Sequence, residues 1–207
     1  MSSKGLFISI EGIEGSGKST LVTNLKSSID NECLCTREPG GSTKAEHIRS
    51  LVLSDDMDGM DSYAELLLMY AARRQHIVDT IMPAINKGIW VLCDRFVDAS
   101  YAYQGGGRST PKELINQLDN WIVAETMPDL TLLLDAPVRL CVERARKRQD
   151  NNRFDNEEFE FHNKVREMYL ERAFLYPKRV KVIDAKGDTE DVLDQCLEAI
   201  KQCQTQT

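Results

Sequence analysis

Eight residues, Gly12-Ile13-Glu14-Gly15-Ser16-Gly17-Lys18-Ser19, carry the spacing Gly, four residues, Gly-Lys-Ser. Each residue type there suits the holding of a phosphate chain. Glycines let backbone N–H groups curl around phosphate oxygens with no Cβ in the way. Lys18 brings a cation to the outer phosphates, and Ser19 offers a hydroxyl to a divalent metal. A helix starting at the end of the loop aims its positive pole at the same anion. Gly12, Glu14, Gly15, Ser16, Gly17, Lys18, Ser19 and Thr20 are the candidate residues for a bound nucleoside triphosphate.

Three further groups could serve such a ligand. Asp94 closes the apolar run Ile89–Cys93, as an acid that holds Mg²⁺ beside Ser19 would; capping a turn is the alternative. Arg95 follows it and would face the same cleft. The stretch 144–153 holds five cations, Arg144, Arg146, Lys147, Arg148 and Arg153. A lid at about 144–156 closing on phosphates, a nucleic-acid patch and a solvated helix face all fit it. Met69 and Arg73, one helical turn apart, suit a planar base with an attached phosphate; equally, they suit a core methionine and a salt-bridged arginine.

The elements that must position these groups are legible in outline. Leu6–Ile10 is a short β-prone run ahead of the glycine loop, and Lys18–Ile29 has a helical pattern. Cys33–Thr36 reads as a second strand ending at Arg37, with Ser42 or Thr43 capping a helix to Leu53. A long helix is expected over about 62–86, with Pro83 kinking or shortening it and Lys87-Gly88 ending it. Strands follow at Ile89–Cys93, Leu130–Leu134 and Val180–Ile183. Helices are expected over Val138–Arg148, Asn156–Leu175 and Thr189–Gln202. Gly105-Gly106-Gly107 reads as a flexible bend, and Pro111 as an early residue of another helix. Alternating strands and helices imply an α/β fold with a five-stranded parallel sheet and helices on both faces. Ligands of such sheets bind at the carboxyl ends of the strands, where the glycine loop, Arg37 and Asp94-Arg95 should meet.

Composition narrows the class. A 207-residue chain with 42% hydrophobic residues is expected to be one domain, 1–207, with a sizeable core. A net charge of −7 disfavours general binding to nucleic acid or to an anionic membrane, so any anion site is local. No signal peptide or spanning apolar run is evident, and the six cysteines and three histidines lack zinc or disulfide spacing, which points to a reducing cytoplasm.

Together these stretches resemble the thymidylate kinases of the bacterial type, over nearly the whole chain. The resemblance is carried by Ile10–Ser19, Thr36-Arg37-Glu38-Pro39-Gly40-Gly41, Tyr70-Ala71-Ala72-Arg73, Asp94-Arg95-Phe96, Ala102–Arg108, and Arg144, Arg148 and Arg153. The Arg-Glu-Pro-Gly-Gly and Tyr-Gln-Gly-Gly-Gly-Arg stretches are the specific ones; the glycine loop alone is common to many families. The resemblance implies a P-loop NTPase-type three-layer fold, transfer of the ATP γ-phosphoryl to dTMP with Mg²⁺, and a homodimer. It implies Lys18, Arg95, Arg148 and Arg153 as catalytic residues, and Arg144 and Lys186 beside ATP. For dTMP it implies Glu14 at the 3′-hydroxyl, Tyr103 crowding the 2′ position, and Arg73 and Arg95 on phosphate and base. Ser100 and Gln104 would lie at the base edge, with Arg37, Pro39 and Met69 in the pocket. Two departures stand out: Met69 where the family usually has Phe, and Ala99 where it usually has Ser. Rival readings are another nucleoside monophosphate kinase, a deoxynucleoside kinase with Glu38 or Asp98 as base, and a non-catalytic ATP-binding adaptor. A guanine-reading Asn-Lys-x-Asp motif does not occur.

Overall fold

The computed structural model describes residues 4–146, 154 and 157–205. Their five strands, β1 (Phe7–Glu11), β2 (Cys33–Arg37), β3 (Trp90–Asp94), β4 (Leu130–Asp135) and β5 (Val180–Asp184), form a parallel sheet in the order β2-β3-β1-β4-β5. All five residues of β1 and the first four of β3 are buried, the mark of strands covered on both faces.

Side-chain alternation divides the core. Ile8, Ile10 and Leu92 pack toward α1 (Lys18–Ser28), α7 (Val138–Arg146), α8 (Phe159–Leu175) and α9 (Thr189–Gln204), meeting Leu21, Leu25, Cys141, Val165 and Ile200. Phe7, Val91 and Cys93 meet Leu66 and Tyr70 of α3 (Ser62–His76), with Ile77, Ile81 and Phe96. Each fully buried Leu or Ile contributes about 1.5–3 kcal/mol, so both layers hold the sheet firmly. α2 (Thr43–Leu53) starts at Ser42, whose hydroxyl accepts the Ala45 N–H.

The long helix is continuous in sequence but not regular. α3 passes into a π-turn at Ile77–Ile81 and on to α4 (Met82–Asn86), with Pro83 in its first turn. Where an α-turn would lose a hydrogen bond and meet the proline ring, the wider turn accommodates it. Gly88, at φ 80°, ends the run as expected.

Two expectations need correcting. Gly105-Gly106-Gly107 is not a bend: it closes a π-helical segment, Tyr101–Gly107, that continues from α5 (Val97–Ser100). The glycines serve close packing. A Cβ on Gly106 would lie 2.8 Å from the Lys164 carbonyl oxygen, and one on Gly107 2.4 Å from the Phe161 ring, both on α8. Pro111 stands just before α6 (Lys112–Leu118) in extended conformation rather than inside the helix.

Candidate active site

Register places the charged strand ends together: Arg37 pairs with Asp94 and Ile10 with Asp94, so the ends of β1, β2 and β3 open onto one cleft. Its volume is about 630 Å³. The phosphate loop forms one wall, with Glu14, Gly15, Gly17, Lys18, Ser19 and Thr20. Gly15 has φ 75°, and a Cβ there would meet the Cys141 carbonyl oxygen at 2.0 Å, so the loop presses against α7 and requires glycine. Lys18 opens α1, and its Nζ donates to the carbonyls of Gly12 (3.0 Å) and Ile13 (2.9 Å). Burial, then the neighbouring Arg95 cation, bring its pKa down to about 8. Gly12 and Ser16 do not line the cleft, and the Ser16 hydroxyl is buried with no hydrogen-bond partner among the described residues.

Ser19 Oγ lies 3.4 Å from Asp94 Oδ2, while Asp94 Oδ1 is buried and has no hydrogen-bond partner among the described residues. A hydroxyl and an acid with a vacant oxygen make a hard-oxygen site that fits Mg²⁺. Among the described residues no cluster of three His, Cys, Asp or Glu could hold a metal. Such a site takes its remaining ligands from water and from phosphates, as Mg²⁺ sites usually do.

The opposite wall is cationic and organised by ion pairs. Arg73 is 3% exposed. Its Nε donates to Glu38 Oε2 (2.7 Å), Nη1 to Ser100 Oγ (2.9 Å) and Nη2 to the Phe96 carbonyl (2.9 Å). Glu38 Oε1 lies 3.0 Å from His76 Nδ1, and His76 Nε2 lies 2.7 Å from Thr36 Oγ1. Arg95 bridges the walls. Its Nη1 donates to the Gly12 carbonyl (2.8 Å) and to Tyr169 Oη (3.1 Å), and its Nη2 to Glu14 Oε1 (2.7 Å). Arg95 takes φ 71°, a left-handed conformation that is costly outside glycine. Tyr103 donates to Glu14 Oε2, and the Arg95 guanidinium lies over the Tyr103 ring. Burial alone would raise the Glu14 pKa, but Arg95 and then Lys18 outweigh it and hold the carboxyl at about 2.

Sequence-derived candidates therefore gather in one place. Glu14, Gly15, Gly17, Lys18, Ser19, Thr20, Arg37, Pro39, Met69, Arg73, Asp94, Arg95, Ser100, Tyr103, Gln104 and Arg144 all line the cleft, as does Ala99. Met69 is half-buried there, while Tyr70 turns away to donate to Asp119 Oδ1. Lys186 does not reach the cleft: its Nζ pairs with Asp184 Oδ2 at 3.0 Å. Arg144 donates from Nη1 to the neighbouring Ala185 carbonyl. Arg148, Arg153 and most of the expected lid, 144–156, lie outside the described residues.

The sequence reading missed three groups. Arg49 of α2 enters the cleft and donates to the Pro39 carbonyl (2.6 Å); nothing local marks it off from a surface cation. Tyr169 supports Arg95 from α8, 74 residues away in sequence. Glu11, directly before the loop, is buried and accepts from the Phe96 N–H (2.7 Å) and Tyr169 Oη (2.8 Å). Burial and the nearby Asp98 carboxylate push its pKa up to about 7.

The family model for thymidylate kinase matches residues 10–196. A thymidylate kinase of Marinomonas sp. (strain MWYL1) is 47% identical over 200 residues, covering 95% of this chain and 94% of the relative. One of Pseudomonas syringae pv. tomato is 44% identical over 206 residues, covering 97% and 98%. The crystal structure of thymidylate kinase from Ehrlichia chaffeensis superposes with a TM-score of 0.77 at 34% identity, covering 96% of this chain and 98% of that one. A cleft with a phosphate loop on one wall and buried arginines on the other, in a chain so closely matched along its length, belongs to the thymidylate kinase family.

Proposed function

We propose that the chain, acting as a single domain, transfers the γ-phosphoryl of ATP to dTMP, giving dTDP. The observation that carries this is the shared cleft: the phosphate loop and the Arg73 and Arg95 wall line one cavity. The acceptor is already a phosphate anion, so positioning and charge neutralisation suffice and no strong base is required. Lys18 and the loop N–H groups hold the ATP phosphates, with Arg144 on the donor side. Arg95 holds the dTMP phosphate, Glu14 the sugar 3′-hydroxyl, and Tyr103 the space beside C2′. Arg73, Ser100 and Gln104 face the base, Met69 lies against its ring, and Arg37 and Pro39 complete the pocket. Arg148 and Arg153, outside the described residues, supply positive charge for the transferring group in this reading. Ser19 and Asp94 would hold Mg²⁺, which when bound would neutralise charge on the phosphates.

A deoxynucleoside kinase would need a carboxylate free to take a sugar proton. Glu38 is committed to Arg73 and His76, and Asp98 to Arg172 and Arg179. We further propose a cytoplasmic homodimer. Among the described residues no disulfide is formed, and no helix is long and apolar enough to cross a membrane. Tyr63 and Leu67, one turn apart on α3, expose apolar surface that a second copy would cover.

The test is ADP release with a panel of nucleotide acceptors. We expect dTMP to exceed dUMP by about 10- to 200-fold in kcat/KM, the value of one methyl in a pocket. AMP or GMP as the better acceptor would overturn the proposal, and ATP binding with no acceptor-stimulated turnover would make the chain an adaptor.

A further inference from the structure

We propose that Glu65, a residue outside the walls of the cleft, determines which nucleobase edge the cleft accepts by fixing the orientation of the Gln104 amide. The inference rests on the thymidylate reading above.

Gln104 lies on the π-helical segment and lines the cleft. The donor and acceptor ends of an amide are nearly identical in shape, so a neighbour must decide which end faces a ligand. Here the neighbour is Glu65, fully buried in the first turn of α3. Its Oε1 lies 2.9 Å from Gln104 Nε2, and its Oε2 lies 3.6 Å from Arg108 Nε. Glu65 presents carboxylate oxygens, which accept hydrogen bonds, and Arg108 can only donate. The NH₂ end of Gln104 must therefore face Glu65. That leaves Gln104 Oε1 for the cleft, and among the described residues no hydrogen bond reaches it.

Ser100, one turn before Gln104, stands on the same wall and holds Arg73 Nη1 at 2.9 Å. A base edge arriving there meets an acceptor, Gln104 Oε1, beside a guanidinium donor. Thymine complements that pair with an N3–H donor beside a carbonyl oxygen. Cytosine presents the reverse, an acceptor N3 beside an amine. The selectivity thus originates one residue behind the surface, in a charge that never touches the ligand, so Glu65 is a positioning residue.

The test compares kcat/KM for dTMP and for 5-methyl-dCMP, which keeps the methyl and reverses the edge. In the Glu65→Gln variant the Arg108 guanidinium takes the new carbonyl oxygen. The new NH₂ then turns toward Gln104 and rotates its amide, so that a donor faces the cleft. We expect the preference for dTMP to shrink by about tenfold or more, the effect of one mismatched buried hydrogen bond. The ratio is read within the folded fraction, so lost stability does not move it. In a Gln104→Leu background, Glu65→Gln should leave the ratio unchanged. An unchanged ratio in Glu65→Gln, or equal losses on both substrates with a lower Tm, would show a packing role and overturn the inference. A wild-type chain that accepts both substrates equally also overturns it. One that phosphorylates no thymidylate overturns the underlying reading as well.

Discussion

Glu38 makes a sharp prediction because two buried groups depend on it. Its side chain and that of Arg73 are each 4% exposed, and their atoms meet at 2.7 Å. His76, fully buried, leans on its other oxygen. Among the described residues, Glu38→Ala would leave the Arg73 guanidinium with Ser100 Oγ and the Phe96 carbonyl as acceptors and no carboxylate in hydrogen-bond contact. An uncompensated buried charge costs about 3–5 kcal/mol. For a chain of this size that is roughly 2–4 °C per kcal/mol, or about 6–20 °C in Tm. Arg73 would also be less well fixed, so KM for dTMP should rise by roughly tenfold while KM for ATP stays the same. Adding Arg73→Met removes the stranded charge, so Glu38→Ala/Arg73→Met should unfold at a higher temperature than Glu38→Ala alone. Thermal unfolding of the three variants, with steady-state kinetics on the single variant Glu38→Ala, decides it. A Glu38→Ala protein within about 1 kcal/mol of wild type, or a double variant less stable than the single, would refute the reasoning.

Lys18→Ala should fold and lose at least ~10²-fold in kcat, the loss expected of the proposed role of stabilising charge on the transferring group. Met69→Phe should tighten dTMP binding by about fivefold in calorimetry, the gap of on the order of 1 kcal/mol between ring and thioether stacking. Met69→Ala should weaken dTMP selectively, and a lower Tm with intact dTMP affinity would make Met69 a core residue only. Stability should depend on pH through two carboxyls of opposite sign. Glu14, held at about 2 against 4.5 in the free residue, contributes in full above about pH 4.5. That contribution is lost as pH falls toward 2. Glu11, raised to about 7, keeps a proton that the unfolded chain releases, so its contribution declines as pH rises from about 4.5 to 7. In Glu11→Gln that decline in Tm should disappear.

By itself the sequence determined the chemistry and the class of fold. The glycine loop declared a phosphate site because few other uses need Gly17-Lys18-Ser19 after a buried strand. The alternation of apolar strands with helical segments left a parallel sheet with its ligand at the carboxyl ends. Those signals are local, carried by spacing and periodicity over a few residues. The tertiary structure decided what depends on packing between distant segments. It turned Gly106-Gly107 from part of a bend into a packing surface against α8, because only the approach of that helix makes a Cβ intolerable there. It brought Arg49 into the cleft, although Arg49 in sequence is one more helix cation. It joined Glu11, Tyr169 and Arg95 across 158 residues of chain, and Glu65 to Gln104 across 39, through hydrogen bonds that no spacing announces. A residue's type states what it can donate, accept or bury; its partner is fixed only when the sheet has closed and water has been excluded from between them.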